Sequence, residues 1–310
     1  MKKVLITGGA GFIGSHIADL LLEQGYDVII IDNLSNGSPK YLDKEVKFYQ
    51  IDINSKETED IIKNEKPDFL IHMAAQINVT KSIQNPIHDA NINVLGTIRL
   101  LEYAKKYNIK KFIFSSSAAV YGITEDTSIE ENHPIQPISF YGASKYASEL
   151  YIKLYSQLHK IPYTILRYAN VFGPRQTSDG EGGVISIFCN SFLNQQTPII
   201  FGNGEQTRDF IYVKDVAKAN LAALEHGDNE IFNIGTNHKI SIKELFYLLA
   251  GLTNRDSTPI YQPSREGDIQ YSYLNNKKAI HGLKWSPSYN LTKGLQETLM
   301  YYKKLNERDC

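Results

Sequence analysis

The chain has 310 residues, 42% hydrophobic and 22% charged, with 33 lysines and arginines against 34 aspartates and glutamates. The formal charge of −1 offers no excess of basic residues for nucleic acid or an anionic membrane surface, and the composition is too apolar for disorder. Two cysteines, Cys189 and Cys310, are too few for a disulfide framework or a cysteine-rich metal site, and no apolar run approaches the roughly 20 residues that cross a bilayer. The opening MKKVLITGGA breaks at Gly8-Gly9, too early for a signal-peptide core, so a soluble, cytoplasmic protein is expected.

In chain order, Lys3 to Thr7 is a short apolar run that predicts a strand. Phe12 to Gln24 follows with Ile13, Ile17, Leu20 and Leu21 at helical spacing. Asp27 to Ile31, Val46 to Gln50, Phe69 to His72, Lys111 to Ser115 and Thr164 to Arg167 supply further strands, each separated from the next by a helix-length segment. Near-continuous apolar strands belong to a parallel sheet covered on both faces, so the fold class is α/β, a Rossmann-type doubly wound sheet. After Arg167 the texture changes: Gly173-Pro174, Gly202, Gly204, Pro259, Pro263 and Pro287 punctuate shorter helices. This predicts a smaller, loop-rich C-terminal part at the sheet's C-terminal edge, closing with a surface helix over Leu291 to Leu305.

Between the first strand and first helix, Thr7-Gly-Gly-Ala-Gly-Phe-Ile-Gly14 places Gly8, Gly11 and Gly14 where a dinucleotide pyrophosphate needs a tight turn, close backbone approach and a helix N-terminus. Asp32 follows Gly14 by 18 residues, near the distance expected for an acid gripping ribose hydroxyls. That carboxylate would repel a 2′-phosphate, and IDNLSNGS holds no arginine, so NAD is preferred to NADP. The plain alternative is a glycine-rich turn beside a surface aspartate.

Tyr141-Gly-Ala-Ser-Lys145 opens a segment that continues as a helix, so Tyr141 and Lys145 share a face. A phenol near pKa 10 is a poor base, and a neighbouring ammonium with a positive nicotinamide ring would favour the phenolate. Among 20 tyrosines one such pair would be an accident; Phe114-Ser-Ser-Ser-Ala-Ala-Val-Tyr-Gly122 at a strand end, with hydroxyls facing the cofactor, makes it more than that. The eight histidines show no metal-ligand spacing, so no metal is expected, and His72 reads as a local packing or bonding group.

With these pieces in order, the sequence resembles the extended short-chain dehydrogenase/reductase superfamily, and within it the UDP-glucose 4-epimerase family. The matching segments are TGGAGFIGSH, IDN, HMAAQ, NVLGT, SSSAAVYG, YGASK, LRYANVFGPRQ, GEGGVISIF, GNGEQTRDFIYVKDVA and PSREGD. The resemblance implies an NAD-binding domain over 1–168 with about 212–233, and a nucleotide-sugar domain over 169–211 and 234–310. It implies Ser117, Tyr141 and Lys145 as catalytic. Gly8, Gly11, Phe12, Ile13 and Gly14 would hold the pyrophosphate of NAD, and Asp32, Asn33, Asn36 and Gly37 the adenosine ribose. Asp52 and Ile53 would flank the adenine, while Ala74, Ala75, Gln76, Asn93, Ser115 and Tyr168, with Tyr141 and Lys145, would line the nicotinamide end. Asn170, Gly183, Val184, Ile199, Phe201, Arg208, Ile240, Arg265, Asp268 and Ser272, with Ser117 and Tyr141, would surround a UDP-sugar. Arginine suits a diphosphate in a chain of net charge −1; the bland readings are surface salt bridges for Arg208 and Arg265 and a turn former for Asn170.

Related 4,6-dehydratases place Asp-Glu directly after the catalytic residue to expel water, and decarboxylating relatives keep a glutamate there. This chain has Ala118 and Ala119, which cannot move a proton. The expected chemistry is therefore C4 epimerisation through a 4-keto sugar, of UDP-glucose/UDP-galactose and also UDP-GlcNAc/UDP-GalNAc. The alternatives are another UDP-sugar (glucuronate or a pentose), or a regulatory NAD-binding protein, which would be expected to lose Tyr141 or Lys145. In this family the residue seven positions beyond the PxREGD arginine walls the sugar's C2 pocket; from Arg265 that is Ser272, flanked by Tyr271 and Tyr273. A homodimer is expected through Val94 to Tyr107 and Ala143 to Lys160, which carry apolar residues on more than one face.

Overall fold

The structure is a computed structural model that describes residues 1–177, 183–264 and 269–307. The strands β1 (Lys3–Thr7), β2 (Asp27–Ile31), β3 (Lys47–Tyr49), β4 (Phe69–His72), β5 (Lys111–Ser117) and β6 (Tyr163–Tyr168) alternate with helices α1 (Phe12–Glu23), α2 (Glu57–Glu65), α3 (Val79–Gln84), α4 (Pro86–Ala90), α5 (Gly96–Lys106) and α6 (Phe140–His159). Further along come β7 (Asn170–Phe172), α7 (Val184–Leu193), β8 (Ile199–Phe201), β9 (Thr207–Arg208), β10 (Phe210–Tyr212), α8 (Val213–Ala223), β11 (Glu230–Ile234), β12 (Ile240–Ser241), α9 (Ile242–Leu252), β13 (Ile260–Gln262), α10 (Lys277–Gly282) and α11 (Leu291–Asn306).

The main sheet is parallel, in the order β11-β6-β5-β4-β1-β2-β3. Its apolar runs are buried on both faces because side chains alternate across a strand. Val4, Ile6, Val28, Ile30, Ile71 and Ile113 enter one core, whereas Leu5, Ile29, Ile31, Leu70, Phe112 and Phe114 enter the other. The chain reverses direction of strand addition between β1 and β4. Their C-terminal ends therefore form the crevice where open α/β sheets bind ligands.

A third core gathers Phe172, Ile185, Phe188, Phe192, Tyr212, Phe246, Leu249 and Leu295 from α7, α9, α11, β7 and β10. Three two-stranded ribbons, β7–β10, β9–β12 and β8–β13, border it. The helix α11, expected at the surface, in fact buries Leu295, Thr298, Leu299 and Tyr302 here.

Three other differences from the sequence reading have physical causes. The strand β5 runs two residues past Ser115, because ladder bonding to β6 continues through the polar Ser116 and Ser117. The seventh strand β11 was not anticipated: its buried Asn233 interrupts the apolar run and is satisfied by Tyr121 and Ile129. Finally, α5 is amphipathic with its apolar face inward. Exposed apolar residues lie on α6 (Phe140, Leu150, Leu154, Leu158) and beside it (Ile83, Ile87), and Leu95 is the large apolar residue exposed within Val94 to Tyr107. No helix among the described residues is long and apolar enough to cross a membrane.

Candidate active site

The loop from β1 to α1 fits a dinucleotide by its geometry. Gly8 has φ +70°, and a Cβ there would lie 2.6 Å from the Ala74 nitrogen. A Cβ on Gly14 would lie 2.2 Å from the Gly8 carbonyl oxygen, so only glycine lets α1 start this close to the turn. No side chain caps α1 at Gly11 and its first turn holds no acid, which leaves its N–H groups available to an anion.

At the end of β2, Asp32 accepts from the backbone nitrogens of Ala10 (2.9 Å) and Leu34 (2.8 Å). Burial pushes its carboxyl up, and those backbone bonds offset part of the rise. A carboxylate has about four acceptor positions, so capacity remains for ribose hydroxyls. Asn33 donates to Asp52 at 2.8 Å, tying the ends of β2 and β3 together beside Ile53, which packs in the core. Asn36 is exposed and Gly37 lies against Ala10.

Strand alternation sorts the three serines of β5. Ser116 faces away and donates to Glu149 at 2.6 Å, while Ser117 ends the strand and its Oγ accepts from Ala119 N at 3.1 Å. The Tyr141 hydroxyl hydrogen-bonds to Ser117. One helical turn on, Lys145 Nζ donates to the Ser115 carbonyl at 2.8 Å and lies 4.9 Å from the centre of the Phe114 ring. Ser117, Tyr141 and Lys145 are thus brought together.

Burial sets the electrostatics of the pair in the protein alone. Burial pushes the Tyr141 phenol up, the Ser117 hydrogen bond opposes this, and Asp89 adds to it. Burial also pulls Lys145 down to about 8, against the attraction of Asp89 and Glu149. Lys145 is turned onto Ser115, so in the protein alone the pair does not favour the phenolate. Its lowering is left to the positive charge of the cofactor.

The groups around this pair are held by bonds that the sequence reading missed. Residues Asn91–Leu95 form a π-turn in which Gly96 N donates to the Asn91 carbonyl, a five-residue step. The Asn93 carbonyl accepts from the hydroxyls of Thr97 (2.6 Å) and Ser148 (2.9 Å). The Asn93 amide donates to Gln76 O, Asp89 Oδ1 and Ser144 Oγ, so Asn93 and Gln76 brace the site through protein partners where the resemblance had them at the nicotinamide. The Tyr168 hydroxyl is likewise engaged by Asn220 and Ser115. His72 bridges Thr7 (2.7 Å) and Thr97 (3.0 Å), and burial pulls it down to about 3, so it stays neutral.

Behind β5 lies a fully buried ion pair. Arg167 Nε and Nη2 donate to the two oxygens of Glu149 at 2.9 and 2.6 Å, and Nη1 donates to Tyr121 OH at 2.9 Å. Nothing in the periodicity flagged Arg167, which stands in an otherwise apolar strand.

Backbone bonds gather the candidate sugar-binding residues. Asn170 N donates to Asp209 O, Asp209 N donates to Ser272 O, and Ile240 pairs with Arg208. The segment 270–275 is extended between two neighbours: the carbonyls of Gln270 and Ser272 accept from Thr207 and Asp209, those of Tyr271 and Tyr273 from Thr124 and Ile129. Lys239 lies 5.4 Å from the Tyr273 ring, while Leu274 packs with Ala118 and Val120 beside Ser117. By alternation Ser272 shares the face of Leu274 and the two tyrosines share the other. Phe201 and the half-exposed Ile199 lie on β8, paired with Gln262 and Ile260 just before the PSREGD segment, and Gly183 caps α7 at Val184. Arg265 and Asp268 lie outside the described residues. The buried Asp209, which accepts from Thr236, Asn237 and Leu274, was not anticipated. Among the described residues no cluster suits a metal ion.

Comparison with known proteins agrees with this geometry. Residues 4–235 match the NAD dependent epimerase/dehydratase family. The UDP-glucose 4-epimerase of Mycolicibacterium smegmatis is 36% identical over 308 residues, 97% of this chain and 98% of its own. A Methanocaldococcus jannaschii protein provisionally named a UDP-glucose 4-epimerase is 50% identical over 304 residues, 98% of this chain and 99% of its own. Among solved structures, the Thermotoga maritima UDP-glucose 4-epimerase with UDP-glucose superposes with a TM-score of 0.96 at 44% identity, covering 98% of this chain and 99% of that one. The chain belongs to the NAD-dependent epimerase/dehydratase family, in the group of UDP-sugar 4-epimerases, with NAD as its cofactor.

Proposed function

We propose that the protein interconverts the C4 epimers of a UDP-hexose, acting on UDP-glucose/UDP-galactose and on the N-acetylated pair. The observation that carries this reading is the turn after Ser117: Ala118 and Ala119 stand there, and neither can supply the acid that an elimination needs. Gly8, Gly11, Gly14 and Asp32 would hold NAD, which would supply the hydride acceptor and donor. Tyr141 takes the proton of the C4 hydroxyl and returns it after the sugar has turned over. Ser117 holds the C4 oxygen by a hydrogen bond, and Lys145 fixes the geometry at Ser115. Arg208, Asn170 and Ile240 border the nucleotide-sugar, and Ser272 leaves room beside C2, because a tyrosine ring and an acetamido group cannot share a pocket at interior packing density.

A Methanobrevibacter ruminantium structure titled UDP-N-acetylglucosamine 4-epimerase, 35% identical with a TM-score of 0.94 and covering 98% of this chain and 99% of that one, supports the breadth. The test is a panel of UDP-sugars read by NMR for the C4 epimer, with free NADH followed in parallel. Formation of the epimer without NADH release is expected; steady NADH release, or loss of water to give a 6-deoxy-4-keto product, would overturn the reading.

A further inference from the structure

Asp89 on α4 is 1% exposed, and its Oδ1 accepts from two neutral amides, Gln76 Nε2 at 2.8 Å and Asn93 Nδ2 at 3.2 Å. A carboxylate removed from water is costly unless a positive charge answers it. The helix α6 packs on α4, and the buried cation that it carries there is Lys145. The same asparagine that holds Asp89 also donates to Ser144 Oγ at 3.0 Å, and Ser144 Oγ donates to the Tyr141 carbonyl at 3.0 Å. One amide therefore fixes Asp89 relative to the first turn of α6, which carries the catalytic pair.

We propose that Asp89 is a positioning residue whose negative charge, held by Gln76 and Asn93, sets the pH range in which Lys145 is charged and Tyr141 exchanges its proton. This rests on the epimerase reading for the step involved, though not for the charge effect itself. The other titratable groups facing the pair are Glu149 on α6, already neutralised by Arg167 of β6, and His72 of β4, held neutral. His88 on α4 and Lys81 on α3 are exposed. Of these groups facing the pair, Asp89 is the buried carboxylate without an arginine partner. It acts on both groups in the same sense: it stabilises the ammonium and opposes the phenolate. Removing its charge must lower both titrations together.

The experiment compares the NAD-loaded wild type with Asp89→Asn and Asp89→Glu. Two readouts are used: the pH profile of kcat for UDP-galactose epimerisation, and the Tyr141 phenolate absorbance titration, taken as a difference against Tyr141→Phe in each background. For Asp89→Asn both limbs of the profile and the phenolate midpoint should move to lower pH by about half a unit or more. Asp89→Glu, which restores the charge, should bring them back towards wild type. A folded Asp89→Asn with unmoved limbs and midpoint would overturn the proposal. So would an Asp89→Asn that cannot fold while Asp89→Glu does, because the charge would then serve the fold. A wild type that turns over no UDP-sugar would sink the epimerase reading, yet the phenolate titration would still decide the role of Asp89.

Discussion

Replacing Arg167 with methionine would strand the Glu149 carboxylate, which is 0% exposed and takes both of its charge-assisted bonds from that one guanidinium. Ser116 Oγ would remain as a single hydroxyl donor at 2.6 Å, far short of replacing a bidentate cation. Breaking a buried pair from one side costs about 3–5 kcal/mol, because an uncompensated charge is left in the interior. For a protein of this size that corresponds to a fall in Tm of roughly 5–8 °C. Replacing both partners, as in Arg167→Met/Glu149→Leu, removes the stranded charge. What then remains is the loss of partners for the Ser116 hydroxyl and the Glu131 carbonyl, at about 1 kcal/mol each. The double variant should therefore be more stable than the Arg167→Met single variant. The assay is urea unfolding of wild type, both singles and the double at one saturating NAD concentration, since bound ligand adds its own stabilisation. A single variant within about 1 kcal/mol of wild type, or a double whose cost equals the sum of the singles, would refute the reasoning.

Tyr141→Phe should lower kcat by about 10²–10⁴-fold with little change in Tm, because one hydroxyl leaves a helix face; near-wild-type turnover would show that the proton is carried elsewhere. Gly14→Val should purify without NAD, measured as the absorbance ratio of the purified protein, because any Cβ there meets the Gly8 carbonyl at 2.2 Å; a variant that retains NAD fully would contradict the cradle. In Ser272→Tyr, kcat/KM for UDP-GlcNAc should fall far more than for UDP-glucose, and equal losses would remove Ser272 as the gate. Light scattering should give the mass of a homodimer paired through α6, and Leu154→Glu, in the exposed row with Leu150 and Leu158, should shift it to the monomer; a wild-type monomer at micromolar concentration would decide against pairing.

The strands β1, β2 and β4 were legible to the residue, since each is a run of apolar side chains buried on both faces and bounded by turn residues. The glycine loop and the Tyr141/Lys145 pair were legible for a related reason: they are local, and spacing alone places their members. What escaped depends on contacts between distant segments. Asn233 pairs with Tyr121 across 112 residues, and Arg167 of β6 reaches Glu149 on α6, so neither the seventh strand nor the ion pair leaves a periodic trace. Asp89 looks like any polar residue of a short surface helix until Gln76 and Asn93 close around it. Burial of the Tyr141 phenol, which raises its titration in the protein without cofactor, also escaped, because pairing along a helix face does not report burial. The side of the chain on which Ser272 lies also needed the structure, since adjacent positions in an extended segment point opposite ways.

The five-residue turn at Asn91–Leu95 makes this part of the chain intolerant of length changes. Deleting one of Ile92 to Leu95 would let an ordinary α-helical ladder run from Pro86 through Lys106, with the Gly96 N to Asn91 carbonyl bond shortened to the usual four-residue step. The segment before the deletion would also turn by about 100° against the segment after it, because each α-helical residue advances by 1/3.6 of a turn. Asp89 would swing off α6, and the loop carrying Ala74 to Gln76 would lose the amide that pins it. Substitutions at the exposed positions of Asn91–Leu95 should pass with modest cost, whereas a single-codon deletion, harmless to composition and to the apolar pattern, should empty the cofactor site.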